Sequence, residues 1–221
     1  MINEIKGAVF DMDGTLVDSL MLWNVLWDKF GKQYLNKTSF RPAAEDDKAV
    51  RTMTLRDAMN HIHTVYGIGA DGNELLATAN AIIGDFYENE VCLKEGVAEF
   101  LEFCKQKRIP MCIASATAKK HIEAGLRHCG IDTYFSRIFS CAEVGKGKEF
   151  PDVFLLAADC LGTKPEETCV FEDSLVAITT AHKIGMKTVG IYDQYNYGQD
   201  EIKAIANVYI AKGETLQKLI Y

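Results

Sequence analysis

Lys6-Gly7-Ala8-Val9-Phe10-Asp11-Met12-Asp13-Gly14-Thr15 is the stretch on which the fold turns. Gly7 to Phe10 is apolar without alternation, as suits a strand buried on both faces of a parallel sheet. The run then gives way at once to two carboxylates and a glycine. Polar residues crowded behind a buried strand mark the carboxyl edge of a sheet, where α/β proteins gather their ligands.

Outward from this first run, Lys6–Phe10, five more read the same way: Ile109–Ser115, Arg137–Cys141, Thr168–Phe171, Lys187–Tyr192 and Asn207–Ala211. Between them the period changes. Gly96–Lys107 carries Val97, Phe100, Leu101 and Cys104 at helical spacing, and Lys119–Cys129, Pro151–Leu161 and Ser174–Ile184 repeat the pattern. Gly130, Gly162 and Gly185 follow the last three as C-cap candidates. Strands alternating with helices of this length predict right-handed βαβ units and an α/β fold with a doubly wound parallel sheet.

One region interrupts the alternation. From Leu16 to about Val91 there are only helical patterns: a stripe of Trp23, Leu26, Trp27 and Phe30, then Met53–Val65 and Leu75–Tyr87. The expected organisation is a core of residues 1–16 and 92–221 with an inserted all-helical cap domain, 17–91. Its two crossings, near Leu16–Ser19 and Val91–Glu95, make a natural hinge.

The 221 residues, 48% hydrophobic and 25% charged, suffice for one large core or a core with a small accessory domain. A net charge of −7 disfavours nucleic acid and anionic membrane surfaces as partners. The seven cysteines are odd in number, show no CxxC spacing and mostly have apolar neighbours, as in Met111-Cys112-Ile113. They read as small buried hydrophobes in a reducing compartment rather than a disulfide framework or zinc site. Met1-Ile2-Asn3-Glu4-Ile5-Lys6 lacks a basic-then-apolar signal segment, and no uncharged apolar stretch approaches a membrane span. A soluble cytoplasmic protein, monomeric or weakly dimeric, is expected.

The strand ends carry the chemistry. Asp11, Asp13 and Gly14 follow the first run, Ser115-Ala116-Thr117 the second, Gly145-Lys146-Gly147-Lys148 the third and Glu172-Asp173-Ser174 the fourth. The fold would converge four carboxylates, a hydroxyl and at least one lysine on one spot. So many carboxylates stay ionised together only with a neutralising cation. Hard oxygen ligands without His or Cys select magnesium. Asp11 and Asp13 alternate along an extended segment, so one can attack phosphorus while the other handles a proton. Lys148 and Ser115 can hold phosphate oxygens, and the Met12–Thr15 backbone can add an anion nest. These are the requirements of phosphoryl transfer.

Phe10-Asp11-Met12-Asp13-Gly14-Thr15-Leu16-Val17-Asp18-Ser19 resembles the first motif of the haloacid dehalogenase superfamily. Ile113-Ala114-Ser115, then Lys148 with Pro151-Asp152, then Phe171-Glu172-Asp173-Ser174 are similar to its second, third and fourth motifs, in the right order. The helical insertion resembles the cap of the β-phosphoglucomutase-like and phosphoglycolate-phosphatase-like branch, on a Rossmann-like core. The resemblance implies that Asp11 forms an aspartyl-phosphate and that Asp13 protonates the leaving alkoxide and then activates water. It implies a phosphate site at Ser115, Ala116 and Lys148. Magnesium would be held by Asp11, Glu172, Asp173 and the backbone carbonyl of Asp13.

The implied activity is hydrolysis of a small phosphomonoester, such as a sugar phosphate. Asp13 argues against dehalogenation, because dehalogenases of this superfamily lack the second aspartate of the first motif. The alternative is a phosphomutase, but Trp23 stands where the mutases carry a cap histidine. Arg56 corresponds to a cap arginine of the branch, and Trp23 and Arg56 are the candidate substrate contacts. In the third motif Lys148 precedes Glu149 rather than the family's usual proline, and Lys146 two residues earlier is the rival lysine. A phospho-accepting switch of the receiver type would also place Asp, Ser/Thr and Lys at strand ends. It would be shorter, without the helical insertion or any use for Asp13.

Overall fold

The computed structural model describes residues 4–50 and 53–220. Met1–Asn3, where a signal segment was sought, and Tyr221, the end of the expected core, lie outside the described residues. The chain forms two compact units, Met1–Leu20 with Val91–Tyr221, and Met21–Glu90.

The first unit is built on a six-stranded, wholly parallel sheet. Its strands are β1 (Gly7–Phe10), β2 (Met111–Ser115), β3 (Ile138–Ser140), β4 (Thr168–Glu172), β5 (Lys187–Ile191) and β6 (Val208–Ile210), in the spatial order β3-β2-β1-β4-β5-β6. All six expected strands are present, their bounds shifted by no more than two residues. The four most central, β2, β1, β4 and β5, are buried almost throughout, which is why they read as apolar runs without alternation. Phe10 pairs with Ile113 on one side and Phe171 on the other. This register brings the carboxyl ends of β1, β2 and β4 level, at the point where the strand order reverses.

Val9, Val170, Cys112 and Ala114 face one apolar layer, filled by Val153, Phe154, Ala157, Ala177 and Ala181. On the opposite pleat Phe10 stacks on Phe171 with ring centroids 4.4 Å apart, and Phe100 closes against both. Burying several such side chains is worth about 1.5–3 kcal/mol each, so the strand ends rest on a rigid floor.

The helices of this unit are α5 (Val97–Gln106), α6 (Lys119–His128), α7 (Cys141–Val144), α8 (Asp152–Cys160), α9 (Leu175–Lys183) and α10 (Gln199–Ile205). The four longest, α5, α6, α8 and α9, match the expected helical stretches; α7 and α10 are too short to show a period.

The second unit contains four helices, α1 (Leu22–Leu35), α2 (Ala44–Val50), α3 (Leu55–Tyr66) and α4 (Gly72–Asn89), and no strand among its described residues. Leu26, Trp27, Phe30, Met59, Ile62 and Leu75 form its core. Thr54 caps α3 and Asp71 caps α4, each accepting from a backbone N–H three residues on. The mostly polar α2 has one buried residue, Val50, and left no pattern to read.

The chain enters this unit four residues later than the expected boundary. Val17 is fully buried and bridges to Leu93, while the Asp18 N–H bonds the Cys92 carbonyl (2.9 Å) and the Lys94 N–H bonds that of Leu16 (2.9 Å). Those ladder-like bonds tie residues 17–18 to the first unit.

Cys104, Cys112, Cys141 and Cys169 are buried, as expected of small hydrophobes, whereas Cys92 and Cys160 are exposed, and no disulfide joins any of the seven cysteines, all among the described residues. No helix among the described residues is long and apolar enough to cross a membrane.

Candidate active site

The loop leaving β1 is a tight turn. The Asp11 N–H still continues the ladder to the Phe171 carbonyl (3.0 Å), after which the Leu16 and Val17 N–H groups both bond back to the Met12 carbonyl. Gly14 makes the turn with φ 78°, a left-handed backbone that L side chains rarely adopt. A Cβ there would also run into the Asp173 carboxylate and Leu20.

Asp11 and Asp13 meet different surroundings. Asp11 is 6% exposed, and its carboxylate accepts from the Lys148 ammonium. Asp13 is half-buried and held by two hydroxyls: Ser19 donates to Oδ1 and Thr117 to Oδ2, each at 2.6 Å. Lys148 also donates to Glu172 Oε1 (2.5 Å), while Glu172 Oε2 accepts from the backbone N–H groups of Asp173 and Ser174, both at 2.8 Å. The Asp173 carboxylate accepts from Asn196 Nδ2 on Oδ2 (2.6 Å) and, at longer range, from Thr15 on Oδ1 (3.4 Å).

Of the two candidate lysines, Lys148 lies inside the carboxylate cluster. Lys146 is half exposed and pairs with Asp152 at 2.7 Å. Ser115 is buried at the end of β2, where its Oγ accepts from the Thr117 N–H (3.2 Å), and Ala116 is exposed immediately beyond it. Trp23 and Arg56 belong to the second unit. Trp23 packs on its core with its ring centroid 5.5 Å from that of Trp27, and the exposed Arg56 donates to Asn73 (3.2 Å).

Electrostatics mark this cluster. Burial lifts the Asp11 carboxyl to about 7, opposed by the Lys148 ammonium and reinforced by the Glu172 and Asp13 charges. Burial also raises the Asp173 carboxyl well above its ordinary range, with Glu172 and Asp11 adding to the shift and Lys94 and Lys148 opposing it. At Lys148 burial pulls the other way, but the Asp11 and Glu172 charges outweigh it and hold the ammonium firmly protonated. Three acidic groups thus share a dry space with one lysine.

One carboxylate oxygen each from Asp11, Glu172 and Asp173 lies within 4.8 Å of the others. An all-oxygen, buried, anionic donor set with the charge of only one lysine inside it fits a hard divalent cation. The Asp13 carboxylate stands outside this set, which leaves only its backbone carbonyl for the metal role that the resemblance assigns.

Several polar partners escaped sequence reading. Thr117 and Ser19 lie inside stretches singled out above, but nothing there says that both point at Asp13. Lys94, Asp193 and Asn196 have no motif; they are linked to the site only through folding, Lys94 reaching the carbonyl of Gly14 eighty residues away in sequence.

The family model of haloacid dehalogenase-like hydrolases matches residues 5–185. A phosphorylated carbohydrates phosphatase of Thermotoga maritima is 25% identical over 217 residues, covering 97% of this chain and 98% of that protein. The fructose-1-phosphate phosphatase of Escherichia coli is 26% identical over 199 residues, 86% of this chain and 98% of that one. Among solved structures, a Thermotoga maritima protein provisionally named a β-phosphoglucomutase superposes with a TM-score of 0.82 at 25% identity, covering 98% of this chain and 99% of its own. With its four strand-end motifs converged on one sheet edge, the chain belongs to the haloacid dehalogenase-like hydrolases.

Proposed function

We propose that this protein is a magnesium-dependent phosphatase that hydrolyses a small phosphorylated metabolite through an aspartyl-phosphate on Asp11. The observation that carries the reading is the split between the two aspartates. Asp11 lies in the Lys148–Glu172–Asp173 cluster, whereas Asp13 is held apart by Ser19 and Thr117. A nucleophile among cations and an acid/base outside them is what a two-step displacement at phosphorus needs.

Asp11, Glu172 and Asp173, with the Asp13 carbonyl, would hold magnesium. When bound, the ion supplies neutralising charge and Lewis acidity at the phosphoryl oxygens. Lys148 gives a fixed positive charge at the same point, and Ser115 with the Ala116 backbone can donate to the remaining oxygens. A carboxylate oxygen of Asp11 attacks phosphorus and the bond to the leaving oxygen breaks. Asp13, protonated at this step, passes its proton to the departing alkoxide. Asp13, now a carboxylate, takes a proton from water; that water attacks phosphorus, breaks the acyl-phosphate bond and restores Asp11. Ser19 and Thr117 hold the Asp13 carboxylate in one orientation for both transfers.

The helical unit is the candidate cap, with Trp23 and Arg56 as substrate contacts. The two phosphatases named above act on sugar phosphates, which makes that class the first to test. Likeness to the provisionally named β-phosphoglucomutase favours the one rival reading, a phosphomutase. Phosphate release from a panel of phosphorylated metabolites and an aryl phosphate, with magnesium and with chelator, separates the two. Magnesium-dependent release is the expected result; an isomerised phosphosugar without release would replace phosphatase by mutase.

A further inference from the structure

The loop after β5 carries none of the strand-end motifs, yet it meets Lys94 on one side and Asp173 on the other. Asp193, 4% exposed, lies just beyond β5. Its Oδ2 accepts from Lys94 Nζ (2.7 Å) and its Oδ1 from the Tyr195 N–H (2.9 Å). Lys94 has two further partners, the carbonyls of Gly14 (2.6 Å) and Tyr192 (3.3 Å). An ammonium has three protons, so all of them are committed within the protein and none is left for a substrate. On the other side, Asn196 turns its amide onto Asp173, donating to Oδ2 (2.6 Å) and to the backbone carbonyl (3.0 Å). The Asn196 N–H and the Gln199 side-chain amide both bond the Asp193 carbonyl at 3.2 Å, which fixes the turn between them.

One buried carboxylate therefore braces the Asp11–Gly14 loop through Lys94 and aims Asn196 at Asp173. We propose that Lys94, Asp193 and Asn196 are positioning residues that set the spacing between the Asp13–Gly14 backbone and the Asp173 carboxylate, and with it the affinity for the divalent cation. Asn196 bonds Oδ2 of Asp173 at 2.6 Å and Thr15 lies 3.4 Å from Oδ1, so the amide sets the orientation of the carboxylate that would hold the ion. This inference rests on the metal-dependent reading of the site. Outer partners that orient a ligand are worth about 10–100-fold in metal affinity or activity.

The test is magnesium binding to the full chain by calorimetry, with the magnesium-induced rise in melting temperature as a second readout, beside turnover of an aryl phosphate. Lys94→Met and Asn196→Ala should each weaken magnesium binding roughly tenfold and lower kcat, with KM for the aryl phosphate held within about twofold. Lys94→Arg, which keeps the charge and donors, should recover most of the affinity. A merely structural ion pair would lower the metal-free melting temperature without moving magnesium affinity in the folded variants, and that result overturns the proposal. If Lys94→Met does not fold, the half-buried Asn196→Ala decides alone. Wild-type protein that binds magnesium but releases phosphate from nothing would sink the phosphatase reading, while the binding isotherms still judge the positioning role.

Discussion

Burial lifts the Asp11 carboxyl from an ordinary 3.8 to about 7, so between those values the folded protein keeps a proton that the unfolded chain has released. Stability from this group falls as pH rises through that window, because the folded state binds more protons than the unfolded one. Asp11→Asn removes the penalty. In chelator the variant should gain roughly 1–3 kcal/mol over wild type at pH 8, and much less near pH 4, by urea unfolding. A gain independent of pH would mean that the Asp11 charge is not what costs stability. The same substitution should abolish turnover. Asp13→Asn should instead slow turnover by about 10²–10⁴ while magnesium affinity stays near wild type, because the Asp13 carboxylate lies outside the oxygen cluster. If the substitution instead only weakened magnesium affinity, with turnover recovered at saturating magnesium, the acid/base role of Asp13 would be wrong.

At the scale of elements, the turn after β1 is where backbone and side-chain requirements coincide. Gly14→Ala forces an L residue into φ 78° and drives a Cβ toward Asp173. The expected loss is at least about 1–2 kcal/mol from the left-handed backbone alone, with more from the displaced carboxylate. Unfolding curves and magnesium titration should both move; if only stability moved, the turn would support the fold but not the site. The strands were legible because burial on both faces leaves β1 and the interiors of β2 and β4 apolar. The site carboxylates were legible because they crowd directly behind those strands. Lys94, Asp193 and Asn196 were not, since each acts on residues far away in sequence and none sits in a patterned run. Sequence left Lys146 and Lys148 as rivals; their surroundings differ in a way it could not show, Lys148 lying between Asp11 and Glu172 while the half-exposed Lys146 pairs with Asp152.

For the whole molecule, each unit has a core of its own. If the helical unit selects the substrate, Arg56→Ala should change the ranking of sugar phosphates by about tenfold or more while leaving a minimal aryl phosphate within twofold, as loss of a charge-assisted bond predicts. Parallel losses on both substrates would assign Arg56 to the support of α3 and α4 through Asn73.

The central place of β1 has a consequence for synthesis on the ribosome. The strand emerges first, but the partners that flank it, β2 and β4, follow only after the whole helical unit has been made. Contacts within Met21–Glu90 are short in sequence, and local contacts form fast, whereas pairing β1 must wait for long-range closure. The nascent chain thus carries an apolar strand and Asp11 unpaired until Met111–Ser115 arrives, and the carboxylate cluster is completed only when Glu172 and Asp173 follow.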